Sequence, residues 1–166
     1  MTRIARTDIS VGDSIGHRVI RLTRADLIRY AAASRDHNPI HWSETFATRV
    51  GLPGVIAHGM LTMGAAAGLV AEWAGDPGAI VDYQTRFTGM VPVADTTGDV
   101  DDDGEPIPGA TLEVSGRIGA VDEAAGTVRI DLSVSSPEAE KPRVLTKAQA
   151  VVRLAAPAAQ PAGESA

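Results

Sequence analysis

The chain has 166 residues, a net charge of −6 and no cysteine. That length supports one domain with a core of its own, and the 44 % hydrophobic share excludes a disordered class. The acidic balance disfavours a nucleic-acid partner, whose phosphates need a basic surface. The missing thiols exclude disulfides, a cysteine nucleophile and thiolate metal sites.

Met1 to about Asp8 reads as a loose start without the apolar stretch of a secretory signal. Thr23 is a candidate N-cap, with Asp26 three residues on, close to a capping box. Leu27, Ile28, Ala31 and Ala32 then recur at helical spacing. Pro39 forbids a regular helix through Arg35 to His41, because its ring clashes and it lacks an N–H. Asp36 to His41 is therefore expected to be an irregular loop leaving a helix end. A short helix follows, capped by Ser43 and stopped by Gly51 and Pro53.

From about Met60 to Ala74 the chain is apolar nearly all round, which predicts a helix buried on most faces. Gly64, Ala67, Gly68 and Ala71 keep one side of it thin. Gly75, Asp76 and Pro77 stop it. The apolar stretch is broken by His58, Gly59, Thr62 and Glu72 and falls short of the roughly 20 residues of a membrane span. No membrane association is expected, and a cytoplasmic location is compatible with the absence of cysteine.

Beyond the helix the period changes to two. Val81, Tyr83, Thr85 and Phe87 alternate with polar residues, and the shared face of Tyr83 and Phe87 is expected to point inward. Leu112 and Val114, then Val128, Ile130, Leu132 and Val134, then Thr146, Ala148, Ala150, Val152 and Leu154 mark further strands. Short connections such as Val121 to Gly126 favour antiparallel hairpins. One long buried helix followed by antiparallel strands gives an α+β class. The economical packing is a hotdog, with the sheet wrapped around the helix. The helix, about 22 Å long, matches strands of about six or seven residues. The domain is expected to cover residues 1–154, with a disordered Ala/Pro-rich tail at 155–166.

Two segments carry candidate chemistry. Asp36-His37-Asn38-Pro39-Ile40-His41 packs an acid, an amide and two imidazoles around one proline. Reversible hydration of an enoyl thioester needs one proton movement at the α-carbon and one at the β-oxygen. A carboxylate and an imidazole can share them. The bland alternative is a helix-end Asp36 and a satisfied loop histidine at His41. The second segment is Ala57-His58-Gly59-Met60. Gly59 falls at or near a helix start, where free N–H groups and a positive dipole can hold a thioester oxygen. Alternatively, it only permits a tight entry turn.

Taken together, Asp36-x-Asn38-Pro39-x-His41 and His58-Gly59-Met60 resemble the motif of MaoC-like and (R)-specific enoyl-thioester hydratases. The resemblance runs from about Leu22 to Leu154 and is greatest to the B-type subunits of mycobacterial (3R)-hydroxyacyl-carrier-protein dehydratases. It implies a single hotdog acting as a hydro-lyase on acyl thioesters, as a dimer with the acyl chain beside the subunit interface. It implies Asp36 and His41 as the catalytic pair, with Asn38 orienting the pair or binding substrate and the Gly59 N–H holding the thioester oxygen. No metal and no cofactor are expected. The substrate would be carried by coenzyme A or acyl carrier protein, and the partner would be a second copy or a related hotdog subunit. One departure is Ala67, where some relatives have a serine. Alternatives are a subunit that needs a partner chain to bind substrate and a thioesterase on the same fold.

Other patterns carry less. Asp99-x-Asp101-x-Asp103-Gly104 opens like a calcium loop, but the twelfth position is Ala110 rather than glutamate, so a solvated acidic loop is expected. His37 and His41 have zinc-pair spacing, yet Pro39 prevents a shared helix face.

Overall fold

Five strands form one antiparallel sheet in the order β1-β3-β4-β5-β2. The computed structural model describes residues 9–154; the expected loose start at 1–8 and the tail at 155–166 lie outside them. In chain order the elements are β1 (Ser14–Leu22), α1 (Arg24–Ser34), a 3-10 turn (Pro39–His41), α2 (Glu44–Arg49), α3 (Gly59–Ala74), a second 3-10 turn (Pro77–Ala79), β2 (Ile80–Phe87), β3 (Ala110–Asp122), β4 (Thr127–Ser135) and β5 (Arg143–Arg153).

α1 begins where its capping signal places it. The Thr23 hydroxyl accepts from the Asp26 N–H, and the Asp26 carboxylate accepts from the Thr23 N–H at 2.9 Å. The helix ends on Arg35 in the left-handed region, with φ 63°, which turns the chain sharply into the Asp36 loop. α2 is capped by Ser43, as expected.

α3 buries Thr62, Ala66, Leu69, Val70 and Ala74 and contacts all five strands. The inward residues of the sheet, among them Leu112, Val114, Ile130 and Val134, are fully buried beneath it. Burial of such side chains, about 1.5–3 kcal/mol each, holds sheet and helix together. A five-stranded antiparallel sheet packed around one long helix is the hotdog arrangement. The thin side of α3 is only partly used. Gly68 lies against the Arg18 guanidinium, whereas Gly64 faces open space. Among the described residues, no helix is long and apolar enough to cross a membrane.

β1 carries no strand signal in the sequence pattern. β2 departs from expectation at both ends. Tyr83 packs against the core, but Phe87 is half exposed and Val81 is 45 % exposed. A register shift between Gln84 and Arg86 breaks the simple alternation. β2 is also an edge strand, so its side chains lack a neighbouring strand on one side.

Candidate functional site

The Asp36–His41 loop is built by two side-chain turns. The Asp36 carboxylate accepts from the Asn38 N–H at 3.2 Å, and the Asn38 side-chain oxygen accepts from the Ile40 N–H at 3.3 Å. Pro39 sits in the first turn of the 3-10 element, where its missing N–H costs nothing. The Ile56 N–H then donates to the Ile40 carbonyl at 3.2 Å, pinning the turn against the segment that enters α3.

This arrangement carries His41 into the interior, while Asp36 stays exposed. His41 Nδ1 lies 2.7 Å from the Ile56 carbonyl. A carbonyl only accepts, so Nδ1 carries a proton and Nε2 is the ring nitrogen this bond leaves unengaged. His37 remains exposed outside the 3-10 turn, and its carbonyl accepts from the Trp42 indole.

The loop alone does not make the site. His58, 22 residues after Asp36, is buried and stacked on His41, with ring centroids 3.7 Å apart and planes 23° apart. The Tyr30 ring packs beside it, tilted by 57° with centroids 4.8 Å apart. His58 Nε2 lies 3.2 Å from the Asp36 main-chain carbonyl. Burial holds the His58 imidazole below its usual pKa. The hydrogen bond to the Asp36 carbonyl opposes this, the His41 ring adds to it, and the Asp36 charge opposes it less. Among the described residues, His58 Nδ1 is buried and has no hydrogen-bond partner. The sequence pattern contained His58 but assigned it no place in the site; its role as the N-cap residue of α3 was the available signal.

One side-chain donor atom from each of Asp36, His41 and His58 lies within 4.8 Å of the others. The loop thus brings the Asp36 carboxylate and the imidazole of His41 together. Metal-ligand residue types are present, but stacked rings send their in-plane lone pairs side by side rather than to one point, a poor fit to a coordinated ion.

Gly59 opens α3, and no side chain caps that helix end. Its first N–H groups therefore lack intrahelical partners next to the Asp36–His41 pair. A Cβ at Gly59 would sit 3.1 Å from the Phe87 ring. Phe87, which the sequence placed in the interior, instead covers the helix start. It also borders a cavity of about 810 Å³ lined by Leu52, Pro53, Met90, Pro92, Glu138 and Lys141.

Comparison with known proteins bears on the family and the fold. Residues 8–99 match the MaoC-like domain. The 3-hydroxyacyl-thioester dehydratase X of Mycobacterium tuberculosis is 48 % identical over 80 residues, which span 48 % of this chain and 28 % of that protein. A solved MaoC-like dehydratase superposes with a TM-score of 0.80 at 35 % identity, over 92 % of this chain and 43 % of that one. The (R)-hydratase from A. caviae involved in PHA biosynthesis shares the fold, with a TM-score of 0.71 at 21 % identity over 90 % of this chain and 99 % of that one. The chain therefore spans less than half the length of the mycobacterial relative and of the first of these structures.

Proposed function

Because the chain belongs to the MaoC-like domain family, we propose that it is a hydro-lyase that adds water to, or removes it from, a fatty acyl thioester, with Asp36 and His41 as its acid–base pair. The observation that carries this reading is the convergence of an exposed carboxylate and a buried imidazole beside an uncapped helix start. In dehydration, the Asp36 carboxylate takes the proton from the α-carbon. The electron pair of that C–H bond forms the double bond as the β-hydroxyl leaves. His41, protonated at Nε2, gives its proton to that hydroxyl, which departs as water. Hydration runs the same transfers backwards. The Nδ1–H bond to Ile56 supports this role, because it fixes the ring with Nε2 free. The Gly59 N–H holds the thioester oxygen as negative charge gathers there in the transition state. Asn38 orients the loop through its bond to the Ile40 N–H.

A thioester on coenzyme A or on acyl carrier protein meets these requirements equally, since both present the same acyl group. A second hotdog, from another copy or a related subunit, pairs along β2. That strand is an edge with exposed Val81 and Phe87, and such edges seek a partner. Incubation of the purified chain with crotonyl-coenzyme A tests the reaction. Loss of enoyl absorbance without thiol release is expected. Thiol release in its place indicates a thioesterase and overturns the proposal.

A further inference from the structure

We propose that His58 is a positioning residue that clamps Asp36 and His41 to one another and to the start of α3. The proposal rests on the acid–base reading above. Three attachments meet in this one ring. Its Nε2–H donates to the Asp36 carbonyl, its flat face lies on His41, and its backbone is the N-cap of α3. The helix holds the clamp in turn. The Thr62 N–H and hydroxyl both donate to the His58 carbonyl, at 3.1 Å and 3.4 Å. Tyr30 packs against the ring as well, tilted with centroids 4.8 Å apart.

Without His58 the acid is weakly held. Asp36 is exposed. Its carboxylate accepts from the Asn38 N–H of its own loop, and its N–H donates to Ser34 Oγ at 3.2 Å, also local. Among the described residues, the hydrogen bond from His58 to its main-chain carbonyl ties it to a distant element. His41 has its own anchor at Ile56, which fixes Nδ1 but leaves the ring free to tilt about that bond. The stack removes that freedom. The imidazole therefore adds a long-range restraint to the loop turns that bring Asp36 and His41 together.

The orphaned nitrogen supports this reading. A buried polar atom left without a partner costs about 1–3 kcal/mol. A residue present only to fill space could be apolar and avoid that penalty. His58 Nδ1 is buried and has no partner among the described residues, so the compensating gain lies in what the other nitrogen and the ring face hold. Placement matters because a 1 Å error in a reacting group can cost about a hundredfold in rate.

Three variants of the full chain separate the attachments. His58→Gln keeps an N–H near the Nε2 position and loses the flat face. His58→Phe keeps the face and loses the donor. His58→Leu loses both. With crotonyl-coenzyme A, kcat per folded molecule should fall about 10–100-fold in His58→Leu. It should recover partly in His58→Gln and His58→Phe. KM should stay within about threefold of the parent, since the ring touches Asp36, His41 and Tyr30 and not the substrate. A folded His58→Leu within about twofold of the parent kcat overturns the proposal. If that variant does not fold, parent-like kcat in both of the others overturns it. If the parent chain does not hydrate crotonyl-coenzyme A, the acid–base reading fails. Crystal structures of the variants then decide the clamp. A shift of the Asp36 carboxylate relative to the His41 ring supports it, and unchanged positions overturn it.

Discussion

Two loops of this chain are built from aspartates by the same local device. In one, the Asp36 carboxylate accepts from the N–H two residues on, at 3.2 Å. In the other, Asp101 does the same with Asp103, at 3.1 Å, and adds the Glu105 N–H at 2.9 Å. The backbones differ little in principle, yet their surroundings differ entirely. The Asp36 loop ends on a buried histidine, stacks against a second, and abuts a free helix start. The Asp101 loop closes on itself through the Asp101–Glu105 backbone bond and is exposed throughout residues 97–107. Polar density is common on surfaces. What distinguishes the first loop is a buried floor that fixes the direction of its side chains.

The largest effect that can test this contrast is removal of a reacting group. Asp36→Asn and His41→Ala should each lower kcat for crotonyl-coenzyme A by at least about a hundredfold, the lower range for one acid–base residue. Changes under tenfold in both would leave the two loops functionally alike and break the contrast at its base. Circular dichroism of each variant guards against unfolding.

A smaller effect is expected at the helix start. Gly59→Ala places a methyl 3.1 Å from the Phe87 ring, tighter than ordinary contact, while the backbone N–H remains. Phe87 is 51 % exposed and can swing aside, so stability should change by less than about 1 kcal/mol, the scale of a glycine-to-alanine step in a helix. The displaced ring borders both the helix start and the 810 Å³ cavity. Catalytic efficiency should therefore fall roughly tenfold, less than for a full 1 Å misplacement of a reacting group. Combining Gly59→Ala with Phe87→Leu should restore part of it. Unchanged kcat/KM in the single variant would detach Phe87 from the site.

The sequence exposes these regions unequally, for physical reasons. α1 and α3 were legible because capping, stop signals and apolar spacing are local; Thr23, Asp26 and Gly75 do what their types imply. β1 was not, since only Ile15 and Leu22 of its nine residues are buried and no period-two pattern results. The exposure of Phe87 depends on a register shift and an open edge, which pattern does not record. Asp36, Asn38 and His41 lie within six residues and read as a motif. The grip of His58 on Asp36 spans 22 residues, so it emerges only when α3 is packed against the loop.

The smallest expected effect belongs to the other loop. Asp101→Asn with Asp103→Asn removes two charges and keeps the turn, because an amide oxygen accepts the Asp103 and Glu105 N–H bonds as a carboxylate does. The ion pair lost with Arg21 is 3.8 Å long and largely solvated, a class worth about 0–1 kcal/mol. Urea denaturation should therefore show a change of at most that size, and kcat should stay within about twofold. Calcium supplies the sharper arm. The loop opens like a calcium site but has Ala110 where the bidentate glutamate belongs, so millimolar calcium should leave the melting temperature unmoved. A calcium-dependent rise that disappears in the double variant would mean that an exposed, self-closed loop can also hold a ligand. A buried floor would then no longer distinguish the Asp36 loop from it.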